Sequence, residues 1–135
     1  MSAVVTDTHS LLWYLNNSPK LSADALSACS QAEKNGSPIY VPAIVLVEIR
    51  YLIEKGRDIF ESDFQLIVGE LNNPISALTF APLSQQMTEN LEQIPRLVVP
   101  DMPDRIIAVT ALTLGLPLIS KDGEIQKLTN VEVIW

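Results

Sequence analysis

The chain has 135 residues, 47% of them hydrophobic, enough to bury a sizeable core and too apolar for a disordered segment. Sixteen acidic against nine basic residues leave a net charge of −7, which excludes a module that holds nucleic acid through a basic surface alone. It leaves open a nucleic-acid enzyme, because divalent metal ions bridge acidic side chains to phosphate.

One cysteine, Cys29, excludes an intramolecular disulfide, and its setting on an Ala-rich helix face reads as a small core residue. No apolar run approaches the roughly 18 residues of a membrane span, and no basic, apolar leader opens the chain. A cytoplasmic protein without membrane contact is expected, with residues 1–135 as a single domain.

Ala3–Thr6 is a short buried strand that ends at Asp7, and Thr8–Leu15 follows as a helix. His9, the only histidine, reads as a capping or packing residue. A helix from Leu21 to Lys34 begins at Ser22 and stops at Asn35-Gly36. Pro38–Val41 is a second strand, and Ala43–Lys55 a strongly apolar helix ending at Gly56.

Glu48 stands in the middle of that helix, where an uncompensated carboxylate is costly and needs a cation, a metal or a water-filled cleft. Arg50, two residues on, cannot pair with it along the helix. Glu61–Leu71 is amphipathic, Ile75–Ala81 a third strand, and Ser84–Ile94 a surface helix.

The stretch from Val99 to Glu124 carries the strongest pattern. Asp101 sits where an N-cap belongs and Pro103 in the first turn, where a missing N–H costs little. Ile106–Leu114 is apolar or Thr on nearly every side, so this helix packs on more than one face. Gly115 stops it, and Leu116–Ile119 reads as a parallel strand buried on both faces, ending near Asp122. A helical turn over Ile125–Leu128 and an edge strand over Val131–Trp135 complete the chain. Strands alternating with helices argue a three-layer α/β/α sandwich around a mostly parallel sheet.

Asp7 and Asp122 follow strands, Asp104 opens a helix, and Glu48 lies on the helix leaving the second strand. In such sheets ligands bind outside the carboxyl ends of the strands, so the topology brings four carboxylates from separate segments toward one cleft. Like charges at about 4 Å repel by about 1 kcal/mol even in water, which calls for a cation. All-oxygen ligands favour Mg²⁺ or Mn²⁺ over Zn²⁺, and such ions activate water against phosphodiesters.

These residues carry a resemblance. Val5-Thr6-Asp7-Thr8-His9-Ser10-Leu11-Leu12-Trp13, Val47-Glu48-Ile49 with Glu54-Lys55-Gly56-Arg57, Pro103-Asp104-Arg105-Ile106-Ile107-Ala108 and Leu118-Ile119-Ser120-Lys121-Asp122 are similar, in order and spacing, to motifs of the PIN domain. The likeness is greatest to the Asp-Thr-His branch of the VapC-type toxin ribonucleases.

The resemblance implies a metal-dependent endoribonuclease acting on RNA, usually a homodimer, restrained by a small antitoxin encoded beside it. It implies Asp7, Glu48 and Asp104 as core acidic ligands of Mg²⁺ or Mn²⁺, with Asp122 as a fourth, more variable one. Thr8 and Ser120 match flanking hydroxyls that orient ligands. Asp101 matches the first acid of an Asp-x-x-Asp-Arg motif, as a cap or as a ligand. Arg105 is a candidate to hold a carboxylate, to touch phosphate or to form a structural ion pair. The chain departs from the family where a Ser near the start of the Glu48 helix is replaced by Pro42-Ala43-Ile44.

Two other readings compete. A phosphotransferase or phosphatase with an acidic Mg²⁺ site would need Asp-x-Asp at Asp7, where Thr8 and His9 follow, or a Lys free of the acids, where Lys121 adjoins Asp122. A PIN-like interaction module with weak catalysis would not need all four acids.

Overall fold

The computed structural model describes residues 2–135. Five strands, β1 (Val4–Thr6), β2 (Ile39–Pro42), β3 (Leu78–Ala81), β4 (Leu118–Ile119) and β5 (Val133–Ile134), form one sheet in the order β3-β2-β1-β4-β5. All four strand pairs are parallel, with Val4 opposite Ile39, Val5 opposite Leu118, and Leu118 opposite Val133. Six helices cover it: α1 (Thr8–Leu15), α2 (Ala23–Lys34), α3 (Ala43–Glu54), α4 (Glu61–Leu71), α5 (Gln85–Asn90) and α6 (Met102–Leu114). The architecture is the expected α/β/α sandwich, and no helix among the described residues is long and apolar enough to cross a membrane.

The strand order sets the site. From β1 the chain builds outward through β2 and β3, then crosses back to lay β4 on the other side of β1. The order therefore reverses between β1 and β4, and a crevice opens beyond their carboxyl ends. Beneath it the core is dense: Val5, Ile39, Val41, Val45, Ile49, Ala108, Leu118 and Ile119 have no exposed surface.

Local chemistry explains the elements. Ser22 and Ser84 cap α2 and α5 by accepting the N–H groups of Ala25 and Met87. Gly115 ends α6 at φ 68°, a left-handed conformation that Gly adopts without a Cβ penalty. Arg50 turns away from Glu48 and forms a two-pronged pair with Glu61 of α4 while lying 4.4 Å from the centre of the Phe64 ring. Trp135 packs on Trp13, ring centres 5.8 Å apart, and closes one end of the core.

Several elements are shorter than expected. β3 begins at Leu78, because Asn73 turns the preceding segment, its carbonyl and side-chain oxygens accepting from Ser76 and Ile75. β4 begins at Leu118, because Leu116 still bonds back to Ala111 of α6 and Pro117 has no N–H to give the sheet. The expected Ser84–Ile94 helix breaks after Asn90 into a 3₁₀ turn over Leu91–Gln93.

Candidate metal centre

A cleft of about 520 Å³ opens at the carboxyl ends of β1 and β4. Asp7, Glu48, Asp101, Asp104 and Asp122 all line it, beside Thr8, His9, Ser10 and Lys121. The four acids expected to converge thus share one cavity, and Asp101 joins them.

Each acid is fixed by its backbone setting. Asp7 caps α1, its Oδ1 accepting the Ser10 N–H at 2.9 Å. Asp101 caps α6, its Oδ2 accepting the Asp104 N–H at 3.3 Å, and it also faces the cleft. Cap and cleft residue are therefore one role here, since the α6 N-terminus opens into the cavity. Asp122 accepts the N–H groups of Glu124 and Ile125 through one oxygen, Oδ1, each at 2.9 Å. Its own N–H donates to the fully buried Ser120 hydroxyl at 3.1 Å. Ser120 thereby fixes the turn that carries Asp122. Thr8, buried, donates its hydroxyl to Glu48 Oε1 at 2.6 Å across 40 residues.

Burial pushes the Asp104 carboxyl up from 3.8 to about 7, helped by the charges of Asp122, Asp101, Glu48 and Asp7. Burial likewise raises Glu48; the Thr8 hydrogen bond pulls it down, Asp101 pushes it up, and His9 and Asp7 act in opposite senses. A cleft that crowds carboxylates and penalises their charge is one that a cation stabilises.

The donors fit Mg²⁺ or Mn²⁺ better than a soft metal. Five carboxylates and no Cys line the cleft, and His9 is exposed, its ring set against Trp13 at 5.7 Å between centres. Among the described residues no three Asp, Glu, His or Cys side chains already close on one point. Mg²⁺ does not require such a cage, because it keeps several of its waters and takes one or two carboxylates directly. A second observation points the same way. The Ser10 hydroxyl is buried, lines the cleft and has no hydrogen-bond partner among the described residues. Such a group calls for a partner that enters with water or ligand.

Arg105 corrects the sequence reading. Among the described residues it pairs with no carboxylate and does not line the cleft: its guanidinium donates to the backbone carbonyls of Leu91 and Ile94, at 2.9 to 3.1 Å. It ties the 3₁₀ turn before α6 to that helix, a structural role with no ion pair among the described residues. Ser10 and Lys121 also line the cleft, two residues that the sequence pattern does not single out for the site. The Ser10 signal was its place three residues after Asp7, where Asp as N-cap draws it inward. For Lys121 the signal was its place next to Asp122; its ammonium lies 5.9 Å from the Trp13 ring centre.

The sequence matches the PIN domain family over residues 4–131, nearly the whole chain, and the protein belongs to that family. A search of curated proteins by sequence gives no match. Among solved structures, the chain is similar in fold to VapBC2 from Rickettsia felis bound to a promoter DNA fragment, with TM-score 0.70, 17% identity, and 97% of this chain and 96% of that one covered. VapBC from Salmonella typhimurium bound to DNA matches with TM-score 0.69 and 19% identity over 98% and 97% of the two chains. FitAcB from Neisseria gonorrhoeae matches with TM-score 0.64 and 16% identity over 96% and 95%.

Proposed function

We propose that this protein is a metal-dependent endoribonuclease, the toxin of a type II toxin–antitoxin pair that cleaves RNA in the cytoplasm. The observation that carries the reading is the gathering of Asp7, Glu48, Asp104 and Asp122 around one cleft at the point where the strand order reverses, in a chain of the PIN family. In this reading those four acids hold Mg²⁺ or Mn²⁺, and the single domain spans residues 1–135.

When bound, the metal supplies charge neutralisation at the phosphate and acidity to water. The protein's own residues do the rest. Thr8 holds Glu48 in one orientation, and Asp7 and Asp122 are held by the backbone N–H groups they cap. The N-terminus of α6 presents its dipole to the anionic substrate. Asp104 would hold the metal as its carboxylate, a form that burial and the neighbouring acids confine to pH above about 7 in the metal-free protein.

The antitoxin partner is supported by the similar folds of the VapBC proteins and of a toxin–antitoxin complex from Klebsiella pneumoniae. A homodimer is supported by Val47 and Tyr51 on α3 and by Phe60 and Leu66 on or beside α4, all 47–67% exposed. No Asp-x-Asp follows β1, which disfavours the phosphotransferase reading, and retention of the acids disfavours the inert interaction module.

The test is incubation of purified protein with labelled RNA, with Mn²⁺, Mg²⁺ or a chelator. Cleavage that needs the metal supports the reading. Cleavage that survives chelation, or its absence with every divalent ion, overturns it.

A further inference from the structure

A second depression, about 650 Å³, adjoins the acidic cleft and shares His9 with it. It lies between the α1–α2 and α3–α4 connections. Lys20 comes from the first, and Lys55 and Arg57 from the second. Gly56, between those two cations, sits at φ 68° and lets α3 end in a tight turn, with the Arg57 N–H bonded back to Leu52 at 3.1 Å. Leu52 and Ile59, both half-buried, supply apolar wall, and Asp58 is its one carboxylate.

This placement stands against the chain's charge of −7. Of nine Lys and Arg residues, Arg50 is tied to Glu61 and Arg105 to backbone carbonyls. Lys20, Lys55 and Arg57 make no ion pair among the described residues. All three are exposed and all three face one depression beside the acids. A polyanion approaching an acidic protein needs such a local reversal of sign.

We propose that this depression seats the sugar–phosphate backbone of single-stranded RNA next to the phosphate under attack, with Lys20, Lys55 and Arg57 on successive phosphates and Leu52 and Ile59 against a ribose or base face. The inference rests on the ribonuclease reading for its substrate and adds where the strand runs: past His9, along the α3–α4 turn.

The test measures binding of a labelled single-stranded RNA by the full chain in chelator, by fluorescence anisotropy against salt. Lys20→Gln, Lys55→Gln and Arg57→Gln should each weaken binding about fivefold near 0.1 M salt and lower the salt slope by about 0.7, the value for one lost contact to a single strand. Arg57→Lys should keep most of the affinity. Lys34→Gln and Lys127→Gln, which carry comparable charge elsewhere, should change neither quantity. Under Mn²⁺ the three groove variants should raise KM with kcat held.

Wild-type affinity and slope in the triple variant, with a wild-type melting curve, would overturn the proposal and leave the nuclease reading intact. RNA bound through the groove but never cleaved would overturn the nuclease reading and leave the groove. A triple variant that loses affinity for polyglutamate but not for RNA would overturn it in favour of an acidic protein segment.

Discussion

Two depressions of nearly equal volume, about 520 and 530 Å³, lie at opposite ends of the sheet. Both contain carboxylates. At the amino ends of β2 and β3, Glu33 and Glu70 come from the outer faces of α2 and α4, near the C-terminal ends of those helices. Glu33 is engaged by the Tyr14 hydroxyl. At the carboxyl ends of β1 and β4, five acids come from strand ends, helix caps and the middle of an apolar helix.

The difference follows from the parallel sheet. It sends helix N-termini, with free N–H groups and the positive end of the dipole, to one rim and C-termini to the other. The positive rim can hold a concentration of acids that the other rim would repel. It still does not neutralise them, and burial leaves Asp104 near 7.

The largest expected effect separates the two ends. Loss of an outer-shell partner of a metal ligand costs about 10- to 100-fold. Asp104→Asn and Glu48→Gln, which remove two of the proposed ligands, should lower RNA cleavage by more than ~100-fold in single-turnover assays. Glu33→Gln with Glu70→Gln, at the amino end, should leave it unchanged. Equal losses at both ends would dissolve the comparison.

Next comes Thr8→Val, which keeps the shape and removes the donor to Glu48. Cleavage should fall by about 10- to 100-fold, with an apparent pKa shifted upward because the carboxylate loses a bond that favoured its charge. A pH–rate profile checks both.

Arg105→Met tests a part of the rim that resembles the site in sequence and not in structure. It strips partners from the Leu91 and Ile94 carbonyls. The protein should lose about 1–3 kcal/mol in denaturant titration, while folded protein cleaves at a rate near wild type. A specific loss of rate with full stability would return Arg105 to the catalytic cleft.

Smaller effects concern the metal-free protein. Between Asp104's ordinary value of 3.8 and about 7, the folded chain keeps a proton that the unfolded chain has released. Stability without metal should therefore fall as pH rises through that window. Asp104→Asn should flatten this slope and be as stable as wild type at pH 8, or more so by up to ~1 kcal/mol. Ser10→Ala removes an unpartnered hydroxyl and keeps the N–H bond to Asp7, so metal-free stability should hold or rise by up to about 1 kcal/mol. Melting curves with chelator read both.

The pattern of the sequence made much of this legible. α1 and α4 fall where the apolar pattern puts them, and Asp101 and Gly115 bound α6 as expected. Those features are local: a cap, a breaker, an apolar stripe. Asp7, Asp104 and Asp122 were legible because each sits by a strand end or helix start that topology must bring to one rim, and Glu48 because a lone carboxylate stands out in the middle of an apolar helix leaving β2. Contacts between distant segments were not. That Thr8 would donate to Glu48 across 40 residues, or that Arg105 would turn to carbonyls, depends on how side chains settle once helices pack. The groove of Lys20, Lys55 and Arg57 was hidden for the same reason, since its cations lie in two loops far apart in sequence. Short β4 and β5 were overestimated because apolar flanks such as Leu116 and Val131 serve the core without joining the ladder.

The most direct test of a divalent-cation centre at the carboxyl rim is a Mn²⁺ titration followed by melting temperature, at pH 6 and pH 8. Wild type should be stabilised by Mn²⁺, and more strongly at pH 8, because Asp104 in its proposed role as ligand gives up a proton that it keeps at pH 6. Asp104→Asn should lose most of that stabilisation and its pH dependence, while Glu33→Gln with Glu70→Gln should behave as wild type. Equal Mn²⁺ stabilisation of wild type and Asp104→Asn at both pH values would contradict the account.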